Sequence, residues 1–400
     1  MNQVITFWSS IREEFRRTYI KLFHDSWPAW LAGIFLAILA LMIFLWDNMW
    51  GITGGFRNWG DNVFYMLGIY SEQPEKPWLS NMSVSNLGLL LGAFGVALMA
   101  GQFKIRTSSW YEHLKGLVGG ALMGIGAAFA AGCNIGGFYN AIGMFSMGGY
   151  AMMIGLGIGA YIGLRILIWE MMNIPQQSLP QMHSTEMPGK PFINWSRIAP
   201  YAGGLVLLSI PAAFYLYAVS DRVVLGGLLF FGALIGITMQ RARLCFARAF
   251  REPFMTGNAD MVRVIALSLI IYGMGSAVIK FNWLQPEMAG VYHPFWFGSL
   301  LGGIIFGIGM LLAGGCGTGS LWRAGEGHVK LIIAVVSFAL FNSLGFAALE
   351  RFGIREKLGS GVFMPDVFGW PFALMLYGLV ALGWALWAIW NEKTEKFVIF

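Results

Sequence analysis

The sequence predicts an all-α protein that crosses a membrane about ten times, and three observations favour this class. Hydrophobic residues make up 57% of the 400-residue chain and charged residues only 12%, whereas a soluble domain has about 25% charged residues. Apolar stretches of about 20 residues, the length that crosses a bilayer as a helix, recur along the whole chain. Two of these stretches end in similar glycine-rich segments that each contain a cysteine.

The ten predicted spans follow one another throughout the chain. Because unpaired backbone groups are costly in lipid, each span is expected to be a helix. The spans cover residues 28–46, 84–103, 114–132, 149–172, 198–219, 223–239, 261–280, 294–315, 329–349 and 370–390.

This pattern divides the chain into four parts. Residues 1–27 alternate apolar and basic side chains at helical spacing, which predicts a basic amphipathic helix on the membrane surface; an ordinary solvated leader helix is the alternative. Residues 28–172 form the first membrane half, with Cys133. A polar, proline-punctuated linker covers 173–197, and residues 198–400 form the second half, with Cys245 and Cys316.

The distribution of basic residues predicts the orientation. With an internal N-terminus, most of the 26 Lys and Arg fall on the cytoplasmic side, as the positive-inside rule requires. We therefore expect a multi-pass membrane protein with both termini in the cytoplasm. Residues 51–80 are expected to form an external segment. The basic residues do not alternate with aromatic ones in the way that nucleic-acid binding requires.

The two cysteine segments belong to an internal repeat. "AAGCNIGG" around Cys133 and "AGGCGTGS" around Cys316 align without gaps at an offset of 183 residues (316 minus 133), and the preceding glycines also align. The first copy ends the third predicted span and the second ends the eighth, five spans later, so the copies have opposite orientations. The sequence therefore predicts an inverted-topology repeat whose two broken-helix loops meet near the middle of the membrane. The aligned glycines are Gly119, Gly120, Gly124 and Gly126 in the first copy, and Gly302, Gly303, Gly307 and Gly309 in the second.

The residue types in these loops suit a small anion. Short helices are expected at about 138–147 and 320–325, and their free N–H groups and dipoles favour negative charge. A thiol adds a polarisable, weak donor suited to sulfur. Helix packing through glycine, with cysteine as an apolar filler, is the alternative. The candidate substrate-binding residues are Gly132, Cys133, Asn134, Ile135, Gly136, Gly315, Cys316, Gly317, Thr318 and Gly319.

The third cysteine lies in "QRARLCFARAFRE", residues 240–252, just after the sixth span. Arg243 and three further arginines flank Cys245, and guanidinium groups attract anions. We expect this segment at the cytoplasmic face, with Cys245 and Arg243 as candidate substrate-binding residues. An arginine-rich segment that serves only as a topology signal is the alternative.

At these motifs the chain resembles the YeeE/YedE family of bacterial sulfur-transport membrane proteins, and in length it resembles a member associated with selenium metabolism. The resemblance implies a transporter, without enzymatic activity or a cofactor, that imports thiosulfate or a similar sulfur or selenium anion. It implies delivery to a small cytoplasmic TusA-like sulfur carrier. It also implies that Cys133 and Cys316 occupy the two central positions and Cys245 the third, and that they pass the anion inward through transient S–H···S contacts.

Two other classes of function remain possible on the residues alone. A membrane thiol/disulfide oxidoreductase would use a close cysteine pair, yet the cysteines are 112 and 71 residues apart (245 minus 133; 316 minus 245). A metal or haem site would need further ligands, and the five histidines show no ligand spacing.

Overall fold

The computed structural model describes residues 12–14, 16–173 and 195–399, and most of these residues are helical. We number the principal helices in chain order. They are α1 (Ala29–Trp46), α2 (Thr53–Met66), α3 (Asn81–Met99), α4 (Trp110–Phe129), α5 (Asn134–Asn140), α6 (Met147–Asn173), α7 (Trp195–Val219), α8 (Val223–Ala242), α9 (Phe246–Met255), α10 (Asp260–Phe281), α11 (Phe297–Ala313), α12 (Gly317–Gly325), α13 (Val329–Arg351) and α14 (Trp370–Thr394).

The predicted spans all correspond to helices. Within the described ranges, nine helical segments are individually long and apolar enough to cross a membrane. The tenth span is α4 together with the helical segment that follows it, Asn134–Gly143, and the two are bent by 45°. The prediction of an all-α protein with about ten crossings is therefore confirmed.

Helices α4 and α11, which carry the aligned glycines, cross each other in antiparallel directions. A Cβ at Gly119 would lie 2.6 Å from the Gly309 carbonyl oxygen, and one at Gly126 would lie 2.6 Å from that of Gly302. Real Cβ atoms do not approach a backbone this closely, so these positions require glycine. Because the sequence order of the contacts reverses between the helices, the two copies of the repeat have opposite directions.

Each of these two helices also packs in parallel against the last helix of the other copy. A Cβ at Gly124 of α4 would lie 2.7 Å from the Phe338 carbonyl oxygen on α13, and its repeat equivalent Gly307 of α11 would lie 2.9 Å from that of Leu156 on α6. The contacts are exchanged between the copies, as a twofold relation requires. The aligned glycines thus bring the two copies together along one seam.

Each copy contains six helices in the order long, short, long, long, short, long. The first copy is α1 to α6 and the second is α8 to α13, while α7 and α14 stand outside the repeat. The short helices α2 and α9 were not predicted. Within residues 51–80, expected on the external side, Ile52 and the start of α2 are buried among other helices. The short helices after Cys133 and Cys316 also begin earlier than expected, at Asn134 and Gly317.

Only part of the predicted N-terminal helix lies within the described residues. In that part the N-terminal helix ends in a π-helical turn at Ile20–His24. The Tyr19 hydroxyl donates a hydrogen bond to the Met99 carbonyl oxygen at 2.7 Å. This bond ties the leader to the end of α3. Of the predicted linker, residues 174–194 lie outside the described part, as do residues 1–11 and 15.

Candidate functional site: a buried thiol cluster

Four short helices begin inside the helical bundle, and a cysteine precedes three of them. Cys133 caps α5, Cys245 caps α9 and Cys316 caps α12, whereas Ile52 precedes α2. All four residues are buried, with exposures between 0% and 4%. The chain has three cysteines in all, so every thiol occupies the same structural position at the start of a short helix.

The three cysteines lie close together. A Cβ at Gly319 would lie 3.0 Å from Cys245 Sγ and 3.1 Å from Cys316 Sγ, so these two thiols border the same small space. A Cβ at Gly317 would lie 3.8 Å from Cys133 Cβ. The prediction that the two loops meet is therefore confirmed. Cys245, whose segment we expected at the cytoplasmic face, is 4% exposed and lies beside Cys316 within the bundle.

The backbone of each cysteine loop folds in the same way, which explains the glycines before the thiols. The N–H of Gly132 donates to the Ala127 carbonyl oxygen at 3.0 Å, and the N–H of Gly315 donates to that of Met310 at 3.1 Å. These bonds close a helix through a residue in the left-handed region. Both glycines therefore lie where the long helix ends, immediately before the cysteine.

Each loop cysteine then caps its own short helix. The N–H of Ile135 donates to Cys133 Sγ at 3.3 Å, and the N–H of Gly319 donates to Cys316 Sγ at 3.2 Å. Sulfur takes the place of the oxygen that usually accepts such a bond at a helix start. The thiols thus lie at the positive ends of their helices.

A second set of polar groups holds the segment 50–53 against the first loop. The side-chain amides of Asn86 and Asn342 donate to the Ile52 and Thr53 carbonyl oxygens at 2.8 and 3.0 Å. Asn140 donates to the Trp50 carbonyl oxygen in the same manner. Sequence reasoning missed these residues, although a buried asparagine within an apolar span was an available signal.

Thr53 connects this segment directly to the site. Its hydroxyl oxygen accepts a hydrogen bond from the backbone N–H of Cys133 at 2.9 Å. Its carbonyl oxygen is bound by Asn342, which lies near the middle of the 23-residue helix α13. The thiol cluster is therefore placed close to the middle of the bundle rather than at either end.

The remaining loop candidates line the same place. Asn134 and Thr318 are fully buried, and neither the Asn134 amide nor the Thr318 hydroxyl has a hydrogen-bond partner in the described part of the chain. Nothing lies within 4 Å of a Cβ built on the buried Gly136. The loops thus offer unpartnered polar groups and a small space beside the backbone.

Arg243 is engaged elsewhere. Its guanidinium donates to both carboxylate oxygens of Glu326, at 2.6 and 2.8 Å, and to Gln102 at 3.1 Å. Gln240 donates to the same carboxylate at 2.8 Å. Burial raises the pKa of Glu326, but hydrogen bonds from His328 and Gln240 and the charge of Arg243 outweigh it, so the pKa lies below its usual value. We call the end of the bundle around Arg243 and Glu326 the basic end.

The fold and the thiol cluster together define a class: a multi-pass membrane protein built as an inverted repeat around a buried site made of broken helices. The chain belongs to the sulphur-transport family, whose sequence model matches residues 5–162 and 241–398, one stretch in each half. The resemblance drawn from the cysteine motifs is therefore confirmed.

Relatives with assigned names are similar over different shares of the chain. The "Probable transporter YedE" of Salmonella typhimurium is 30% identical over 331 residues, which cover 79% of each chain. The protein of the same name in Escherichia coli K12 is 28% identical over 330 residues, again 79% of each. The "Thiosulfate transporter TsuA" of Escherichia coli K12 is 32% identical over 173 residues, 42% of this chain and 48% of TsuA.

Proposed function

We propose that this protein imports a small sulfur-containing anion, such as thiosulfate or a selenium analogue, across the bacterial inner membrane, with its cysteine thiols as successive contacts. The observation that carries the proposal is the position of the thiols. Cys133, Cys245 and Cys316 are buried together where short helices begin inside the bundle. The name of the related TsuA supports the substrate class.

The site has the physical properties that an anion of this kind needs. Removing an anion from water costs several kcal/mol or more, and N–H groups at the starts of α9 and α12 offset part of that cost. A thiol is a weak hydrogen-bond donor with a polarisable sulfur, so it contacts the soft end of thiosulfate. The unpartnered Asn134 and Thr318 side chains supply further polar contacts.

Transport also requires that the anion leaves. A covalent persulfide or disulfide would hold the substrate too tightly for conduction, because a conducting site must bind weakly enough to release. Weak S–H···S contacts with Cys133, Cys316 and then Cys245 meet this condition. In this scheme the protein has no catalytic residue. The loop residues Gly132, Ile135, Gly136, Gly315, Gly317 and Gly319 contribute backbone shape and N–H groups.

The basic end is the exit in this proposal. Positive charge on that face is the arrangement expected on the cytoplasmic side, and the proposal has both termini in the cytoplasm. Arg243 then acts at the exit, where it is paired with Glu326, rather than beside the thiols. A small TusA-like sulfur carrier would receive the sulfur there.

Serine substitutions test the proposal. The assay measures initial uptake of radiolabelled thiosulfate into sealed vesicles at matched protein levels. Uptake is expected to fall below about a tenth of wild type in Cys133→Ser and Cys316→Ser, because a loss of ~1.4 kcal/mol of interaction free energy corresponds to a factor of ten. Ser209→Ala, on α7 outside the repeat, is the matched control. Unchanged uptake by both serine variants would remove the thiols from the mechanism.

One observation favours a second candidate, a membrane thiol/disulfide oxidoreductase. Although Cys245 and Cys316 are distant in sequence, their thiols are adjacent. Oxidation would join the two sulfurs and release two protons and two electrons to an acceptor such as a quinone. Uptake that continues without added oxidant or reductant supports transport, whereas strict dependence on a redox partner supports the oxidoreductase.

A further inference from the structure

Helix α12 carries a polar stripe that leads from the thiols towards the basic end. Cys316, Ser320 and Arg323 are spaced four and three residues apart, so they share one face of the helix. Ser320 is 1% exposed and its hydroxyl has no partner within the described ranges. A Cβ at Gly315 would lie 3.2 Å from Ser320 Oγ, which places the hydroxyl beside the cysteine loop.

Arg323 continues this stripe. One terminal nitrogen of its guanidinium donates to the Gly314 carbonyl oxygen at 3.1 Å, while its Nε is buried and has no partner among the residues described. The guanidinium lies 5.5 Å from the Trp322 ring centroid.

The contrast with Arg243 shows what is missing at Arg323. Arg243 lies 5.6 Å from the same Trp322 ring centroid, and the carboxylate of Glu326 balances its charge. Arg323 forms no ion pair with any described residue. A partly buried cation without a counter-charge is costly, and an anion that passes this point would supply that charge.

The chemistry of the side chain selects the kind of anion. A guanidinium is planar and presents paired N–H groups that match two oxygens of one oxyanion, whereas it has no such match for a single sulfur atom. The Ser320 hydroxyl can donate a further hydrogen bond to the same oxygens. The site therefore has soft thiol donors at one point and hard oxygen-binding donors seven residues further along the helix.

We propose that Arg323, with Ser320, binds the oxygen-bearing end of the anion as its sulfur contacts Cys316 and Cys245, and so makes the protein selective for sulfur oxyanions over hydrosulfide. This inference rests on the proposed function. It adds a specificity-determining pair on the exit side of the thiols.

Binding to the purified full-length protein tests this pair. Titration calorimetry with thiosulfate and, separately, with hydrosulfide under anoxic conditions compares wild type, Arg323→Gln, Arg323→Lys and Ser320→Ala. A charge-assisted hydrogen bond is worth ~1.5–3 kcal/mol, so Arg323→Gln is expected to raise the Kd for thiosulfate about ten- to a hundredfold and to leave that for hydrosulfide within about twofold. Arg323→Lys keeps the positive charge but lacks the paired N–H groups of the guanidinium. Its Kd for thiosulfate is expected to lie between those of wild type and Arg323→Gln.

The control variant is Arg165→Gln, because Arg165 on α6 hydrogen-bonds only to the exposed Tyr161 in the described chain. If Arg323→Gln and Arg165→Gln have the same Kd for thiosulfate, this inference is overturned and the proposed function is not affected. Equal weakening for both anions would also overturn it, since it would indicate a general electrostatic role. If the Arg323→Gln protein is not monodisperse, Ser320→Ala tests the inference instead. Its Kd for thiosulfate is expected to rise several-fold, while its Kd for hydrosulfide stays the same. Wild-type protein that binds neither anion would overturn this inference and the proposed function together.

Discussion

The two cysteine loops have the same backbone and different side chains. Both end the long helix through equivalent hydrogen bonds, and both place a thiol over the start of a short helix. The neighbouring short helix differs: Cys245 precedes α9 in the second copy, whereas Ile52 precedes α2 in the first. The twofold scaffold therefore has four equivalent positions and only three thiols.

The residues that follow each cysteine also differ between the two loops, in how many of their polar groups have hydrogen-bond partners. In the first loop the Tyr139 hydroxyl bonds to Ser268 and the Asn140 side-chain N–H donates to the Trp50 carbonyl oxygen, so these donors are used within the protein. Their equivalents Trp322 and Arg323 keep unpartnered nitrogens in the described structure. The comparison teaches that packing in this protein is symmetric while polarity is not. Negative charge is favoured more strongly on the side of the second loop.

The largest expected effect comes from the position at which the copies differ. Cys245→Ala should reduce thiosulfate uptake in sealed vesicles to about a tenth of wild type or less, a change of ~1.4 kcal/mol, because the contact after Cys316 is lost. Ile52→Cys, which adds a thiol at the equivalent position, should keep uptake within about twofold. Full transport by Cys245→Ala, at normal expression and membrane insertion, would return that segment to a role in topology.

The symmetric part of the comparison predicts equal damage in both copies. Gly119→Ala and its repeat equivalent Gly302→Ala each place a methyl group against backbone atoms, so each should destabilise the protein by ~1–3 kcal/mol. Thermal unfolding in detergent measures this. Gly378→Ala on α14 has open space around its Cβ and should not lower the melting temperature, because alanine is favoured over glycine inside a helix. A large drop in melting temperature for only one of the two variants would contradict the equivalence of the two copies along the seam.

A smaller effect is expected at Thr53, which serves the first loop alone. Thr53→Val keeps the shape but leaves the buried N–H of Cys133 without its acceptor, at a cost of ~1–3 kcal/mol. Uptake should therefore fall several-fold, while Thr53→Ser, which retains the hydroxyl, should stay close to wild type. Identical uptake by the two variants would show that the hydrogen bond does not position Cys133.

The smallest expected effect concerns the turn before each cysteine. Ala131 has φ 52° and its repeat equivalent Gly314 has φ 83°, both in the left-handed region. An alanine there costs ~1 kcal/mol relative to glycine, so Ala131→Gly should raise the melting temperature and Gly314→Ala should lower it. A Cβ at Gly314 would have only Lys330 Nζ within 4 Å, at 3.8 Å, so strain and not a clash is measured. Shifts of the same sign would contradict this account.

The sequence by itself determined the class of fold and the equivalence of the two halves. Span length and apolar composition are sufficient because a chain in lipid must satisfy its own backbone hydrogen bonds. The aligned glycines predicted the repeat because close helix contact excludes side chains at the same positions in both copies. The same alignment, with the number of intervening spans, was enough to predict that Cys133 and Cys316 approach each other.

Only the tertiary structure decided which other residues join them. The helices α2 and α9 are too short to register as spans. Asparagine side chains from α3 and α13 hold the start of α2 inside the bundle, and the first residues of α9 are buried there as well. The structure brings Cys245 next to Cys316 and pairs Arg243 with Glu326, residues that are distant in sequence. It also leaves Arg323 without a charge partner among the described residues. Hydropathy and spacing report on local segments, whereas such contacts depend on how the segments cross in three dimensions.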